Sequence, residues 1–169
     1  MKRILSIITV FTLLFTACEG DPGPPGFDGL DADEFAARGF EIVLDFNAED
    51  NFEWIEPYGF QLPLTASTLV YISWEVDNGE DIWRLVPQTV IFEDGNDLVY
   101  NYDFTQNDVR FFLEGSNLDI LGPEWTQEQV FRVVVLPTIN AGRGTTDTVD
   151  LSDLDAVIEA YDINEFELR

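Results

Sequence analysis

Carboxylates dominate the side chains able to do chemistry in this chain of 169 residues: 33 aspartates and glutamates against eight lysines and arginines, with no histidine. Two roles suit them. A pair of carboxyls about 5–10 Å apart can cleave a glycosidic bond, one as acid and one as base or nucleophile. Six to eight oxygens converging from acids, amides and carbonyls can hold Ca²⁺. Three acidic clusters bear on the second role: Asp28/Asp31/Asp33/Glu34, Glu75/Asp77/Asn78/Glu80/Asp81, and Asp147/Asp150/Asp153/Asp155. None follows the EF-hand spacing. The second is the best placed, because Asp77, Asn78, Glu80 and Asp81 fall in a strand-to-strand turn where their oxygens could converge. With about one residue in five acidic, such clusters also arise by chance, and Asn78-Gly79 is ordinary turn chemistry. No cofactor is expected, with Ca²⁺ as the possible exception.

The absent residue types exclude more. After Cys18 there is no histidine, lysine or further cysteine. Ser-His-Asp and Cys-His nucleophiles, Schiff-base lysines, P-loops and His/Cys zinc sites each need a side chain that is missing. Carboxylate, tyrosine, hydroxyl and arginine remain. So acidic a chain is also a poor partner for nucleic acid, whose phosphates are met by Lys and Arg. Aromatic residues make up 14 % of the chain. Trp54 and Trp125 fall in segments read as loops and are the candidates for stacking on a sugar ring. Trp74 is in phase with an apolar strand face and reads as core, whereas Trp83 is undecided. Arg84 and Arg132 interrupt apolar strands, so each should pair with a carboxylate on a neighbouring strand or reach solvent.

The elements that would carry these residues are mostly strands. Phe40, Ile42, Leu44 and Phe46 alternate with Glu41, Val43 and Asp45, a period of two. Ser67–Val76 places Val70, Ile72, Trp74 and Val76 on one face. Asp81–Phe92 is long, but Pro87 cannot donate to a ladder, which calls for a bulge or edge there. Asp94-Gly95 between two apolar runs reads as a hairpin. Asp108–Gly115 and Gln129–Pro137 complete the strands, with a loop between them broken at Gly122-Pro123. One helix is expected within 145–163, from the spacing of Leu151, Leu154, Val157, Ile158 and Tyr161, capped by Asp150 or Ser152. A last extended piece, Glu165–Leu168, suits a sheet edge. The fold class expected is mainly β: an antiparallel β-sandwich, Ig-like or jelly-roll-like, with one short C-terminal helix.

Upstream of the strands the pattern is that of an address. Met1-Lys2-Arg3 precedes an apolar run from Ile4 to Phe15 that is too short for a spanning helix and suits a secretory signal. Phe15-Thr16-Ala17-Cys18 resembles the lipobox of bacterial lipoproteins, with Phe15 where leucine is usual. That resemblance implies cleavage before Cys18 and lipid on that residue. Cleavage removes Lys2 and Arg3, leaving six arginines against 33 acids, so the formal charge moves from −25 to −27. Four Gly-X-Y triplets follow, starting at Gly20, Gly23, Gly26 and Gly29. Few triplets and little proline favour an extended tether over a triple helix. The boundaries are then 1–17 signal peptide, 18–37 lipidated cysteine and collagen-like tether, and 38–169 β-sandwich. Cys18 with its Gly-X-Y run, followed by "DIWRLVPQTVIF", "LVYNYDFT" and "QVFRVVVLP", is similar to small collagen-repeat lipoproteins of Bacteroidota. This resemblance implies an outer-membrane address in the cell envelope, with surface display suggested by Glu19 and Asp21. It carries no catalytic residues to transfer. The expected function is a non-enzymatic binding or structural role at the membrane, in glycan binding, protein binding or adhesion. The alternative is a carboxylate-based hydrolase, such as a glycosidase, on the same scaffold.

Overall fold

The computed structural model describes residues 37–136 and 149–169. The signal peptide, Cys18, the Gly-X-Y stretch, the first acidic cluster and Asp147 lie outside the described residues. Among those described, nine strands form two sheets packed face to face, a mainly β, sandwich-like fold. The first sheet has five strands, in the order β4 (Glu80–Leu85), β3 (Ser67–Asp77), β8 (Gln129–Leu136), β1 (Arg38–Leu44) and β9 (Phe166–Leu168). The second has four: β2 (Glu53–Pro57), β7 (Asp108–Glu114), β6 (Asp97–Phe104) and β5 (Gln88–Ile91). Every pairing is antiparallel except β1 with β9, where Gly39 meets Phe166 and Glu41 meets Leu168 in parallel.

The alternation in β1 does what its period demands. Phe40, Ile42 and Leu44, with Phe46 just beyond, point between the sheets and are almost fully buried. They meet Val70 and Ile72 of β3, Phe131 and Val133 of β8, and Leu98, Tyr100, Val109 and Phe111 from the second sheet. Phe131 is the hub, with ring centroids 5.1 Å from Phe111, 6.1 Å from Phe46 and 6.4 Å from Tyr100. Each such side chain contributes about 1.5–3 kcal/mol by leaving water.

β3 and β8 are buried on both faces, so their sequences read as apolar runs rather than alternations. Tyr71, Val134 and Leu136 point away from the sandwich and lie under helix α1 (Leu154–Tyr161), which docks Leu154 and Val157 onto them. The fold therefore has three layers, helix, five-stranded sheet and four-stranded sheet. The helix is shorter than the sequence pattern suggests. Its cap is Asp153, whose carboxylate accepts from the N–H groups of Asp155 and Ala156 at 3.0 and 3.2 Å. Asp150 instead accepts from the N–H and hydroxyl of Ser152, so the residues read as caps build the turn before the helix.

Three connections depend on special residues. The β3–β4 hairpin turns at Asn78-Gly79, both with positive φ (53° and 89°), the conformation a two-residue hairpin needs. At Pro87 the long segment read as one strand divides. β4 ends at Leu85 in the first sheet, the Val86 N–H donates to the Val70 carbonyl, and β5 begins at Gln88 in the second. Pro87 thus marks a crossing between sheets, because a residue with no N–H cannot extend the ladder it leaves. Asp94-Gly95 makes the β5–β6 turn as expected, with the Asp94 carboxylate accepting from the Asn96 N–H at 2.9 Å.

Candidate functional site

Among the described residues, one candidate surface for a ligand forms where the chain enters β2. A 3-10 turn at Ala48–Asp50 is followed by Asn51 and Phe52, both with φ of 54°. The Phe52 N–H donates back to the Asn47 carbonyl at 2.8 Å, and the Phe52 carbonyl accepts from Leu113 at 3.0 Å. This tight reversal tucks Phe52 against the core and delivers Glu53 and Trp54 onto the edge of the second sheet. Trp54 pairs with Phe111, which is wholly buried, yet Trp54 is 44 % exposed because nothing in the second sheet lies beyond β2.

The sequence reading placed Trp54 in a loop; it belongs to a five-residue strand. Around it Glu49, Asp50, Asn51, Glu53 and Ile55 line a shallow depression of about 450 Å³. The indole N–H leans on the Glu56 carboxylate at 3.4 Å. Glu53 is steadied by Arg110 at 3.4 Å, which also pairs with Asp103 and lies 4.7 Å over the Phe112 ring. An aromatic face flanked by acceptors and one amide is the equipment for holding a polyol ring: the plate stacks, and the oxygens accept hydroxyl hydrogens.

Trp125 is differently placed. It sits in a single helical turn, Pro123–Thr126, packed against the core with its ring edge-on to Phe92 at 5.3 Å. Its carbonyl accepts from the Tyr100 hydroxyl at 2.8 Å. Trp74 borders the core as expected, edge-on to Tyr100 at 6.3 Å and covered by Arg84 at 4.7 Å. Trp83 faces the helix side of the first sheet, where it lies 4.3 Å under Arg132.

Both strand arginines find carboxylates on neighbouring strands. Arg84 lies 3.7 Å from Glu75, and the Arg132 Nε donates to Glu41 at 2.9 Å. Arg132 is also flanked on its other side by Phe166 at 4.7 Å. In the turn at 77–81, Asp77 accepts from the Asn78 amide at 3.1 Å and Asp81 from the Ser73 hydroxyl at 2.6 Å. Among the described residues no three or more His, Cys, Asp or Glu side chains are grouped to hold a metal ion.

The displaced titrations speak to chemistry. Asp97 and Asp150 both move below the usual carboxylate range, held by the hydroxyl and N–H of Ser116 and Ser152 respectively. A general acid at neutral pH needs movement the other way. Burial pushes Tyr58 up to about 12 and Tyr71, Tyr100 and Tyr102 upward as well. All four hydroxyls are engaged inside the protein: with Thr68 Oγ1, the Leu151 carbonyl, Trp125 and Gln129, and the Thr68 carbonyl respectively.

The groove's supporting residues escaped the sequence reading. Their only signal was the turn-forming string Asn47-Ala-Glu-Asp-Asn51, which reads as a loop without saying what it faces. No protein-family model, no curated protein and no solved structure matches this chain.

Proposed function

We propose that this protein is a lipid-anchored component of a bacterial cell envelope, of the kind represented by small collagen-repeat lipoproteins, whose β-sandwich binds neutral glycan without cleaving it. Cys18 is the attachment point, and the residues through Ala37 hold the domain at the outer membrane and present it at the surface. The exposed Trp54 ring on the edge strand, beside Asn51 and three carboxylates, carries the binding half of this reading. Glu49, Asp50 and Glu53 disfavour an anionic ligand there and suit a neutral one.

The test is tryptophan fluorescence of the chain from residue 18 onward, carrying Cys18→Ala, against a panel of soluble neutral oligosaccharides. At least one should change the emission saturably, Trp54→Ala should abolish the change, and Trp125→Phe should keep it. No response across the panel, or a response that survives Trp54→Ala, overturns the glycan reading. The anchor is tested separately: Cys18→Ala in the full chain should move it from the membrane fraction to the soluble one.

A further inference from the structure

A second concavity differs from the Trp54 groove in sign and construction. It lies where β1 begins, lined by Arg38, Phe40, Tyr58, Phe60, Glu167 and Arg169 among others, with a volume of about 230 Å³. Arg169 forms one wall. Its N–H donates to the Glu41 carbonyl at 3.0 Å, and its guanidinium lies 4.2 Å over the Phe40 ring. From there it reaches the Pro57 and Tyr58 carbonyls at 2.9 and 3.3 Å, with Glu56 and Glu167 at 3.5 and 3.7 Å. Arg38 forms the other wall, 4.9 Å over the Phe60 ring. Gly59, with φ of 80°, lets the chain turn so that Phe60 packs beside Tyr58, ring centroids 6.1 Å apart, and supports Arg38.

Arg38 stands apart in its pairing. Among the described residues, Arg84, Arg110, Arg132 and Arg169 each have a carboxylate within 4.0 Å, and Arg38 has none. In a chain with 33 acids an arginine shelved on an aromatic ring without an acid is a guanidinium held ready. Of the two guanidinium groups that line the pocket, Arg169 is already met by Glu56 and Glu167, so the Arg38 charge is the one left to face a ligand.

We infer that this pocket binds a single carboxylate group, received by the Arg38 fork. The planar guanidinium matches a carboxylate with two parallel hydrogen bonds, and the ring beneath keeps it oriented. The volume is below the roughly 300–1,000 Å³ of pockets that enclose a whole drug-sized ligand, so the pocket takes one terminal group and leaves the rest outside. That carboxylate has two sources: a free acidic ligand, or the chain's own Asp31, Asp33 and Glu34, which precede Arg38 closely in sequence. The inference does not rest on the Trp54 groove, which lies at the opposite end of β2.

The experiment titrates D-glucuronate, with D-glucose as its uncharged match, into two forms of the chain from residue 18 with Cys18→Ala. One has no further change, and the other also carries Asp31→Asn, Asp33→Asn and Glu34→Gln. Backbone amide shifts of Gly39, Gly59 and Phe60 report binding, and a melting curve confirms folding. Glucuronate should shift these amides in at least one form while glucose does not. Arg38→Gln should weaken binding by about tenfold or more, and Arg38→Lys should recover only part of it. Binding in both forms assigns a free ligand. Binding only after the three acids are neutralised assigns the chain's own carboxylate as the resident. No shift in either form, or a shift that Arg38→Gln leaves unchanged, overturns the inference. Trp54→Ala should leave glucuronate binding intact, so failure here and failure of the glycan reading are separable.

Discussion

Gly39→Ala is the sharpest probe of how the last strand is held. A Cβ built on Gly39 would lie 2.6 and 2.7 Å from two atoms of the Phe166 ring, closer than side-chain carbons approach. The ring cannot step aside freely. It is paired with Gly39 in the parallel ladder and lies 4.7 Å from the Arg132 guanidinium, which is itself bonded to Glu41. Overpacking of this kind costs about 1–3 kcal/mol. Against it stands the gain from replacing glycine inside a strand, about 0.5–1 kcal/mol. The net loss should reach up to about 2.5 kcal/mol, which lowers the melting temperature of a domain this size by up to roughly 10 °C. Thermal and urea unfolding of Gly39→Ala, Phe166→Ala and the double variant make a cycle. If the clash is the cause, adding Gly39→Ala to Phe166→Ala costs nothing further, or stabilises, and the two changes are strongly non-additive. Additive losses across the cycle would refute the account of Phe166 wedged over Gly39.

Three further expectations follow from the same geometry. Arg132→Lys keeps the charge beside Glu41 but loses the flat stack between Trp83 and Phe166, so it should cost about 1 kcal/mol or more in urea unfolding; a neutral result would mean the stack is idle. Asp153→Ala removes the carboxylate that accepts two helix N–H groups and should cost about 0.5–2 kcal/mol, whereas Ser152→Ala, which leaves that cap in place, should cost less. At high pH, Tyr58 opposes unfolding while neutral: its pKa is raised from 10.0 to about 12 by folding, so its contribution is complete below pH 10 and lost as pH rises from 10 through 12. Phenolate absorbance followed together with circular dichroism should therefore show the buried tyrosines ionising in step with unfolding, and ionisation in a native-like domain would contradict the burial described.

Much of the strand framework was legible, and its misreadings have physical causes. β1 shows its period plainly because only its inner face meets the sandwich core, and Asp94-Gly95 and Asn78-Gly79 name their turns. β3 and β8 hide theirs, since α1 buries Tyr71, Val134 and Leu136 on the face that solvent would otherwise hold polar. β2 was lost because five residues between an Asn-rich turn and Pro57 are too few to establish a period. Pro87 announced a break but not that the chain changes sheets there. Leu151 continued the helix pattern on paper, yet its carbonyl serves the Tyr71 hydroxyl from the turn before the helix, at 2.7 Å. The site residues were harder still. Trp54 was visible as an aromatic, but its exposure follows from occupying an edge. Nothing local brings Arg38 and Arg169, at opposite ends of the sandwich sequence, to one pocket; the parallel pairing of β9 on β1 does that.

The position of β1 has a mechanical consequence. It is flanked by β8 and β9 rather than lying at a margin, with seven residue pairs to the first and three to the second. A pull delivered at Arg38 along the strand therefore loads both ladders in shear, so that many hydrogen bonds must stretch together. Attachment at an outer strand such as β4 would let them open one at a time, like a zip. A domain loaded through such a strand therefore yields less readily than one loaded through an edge strand.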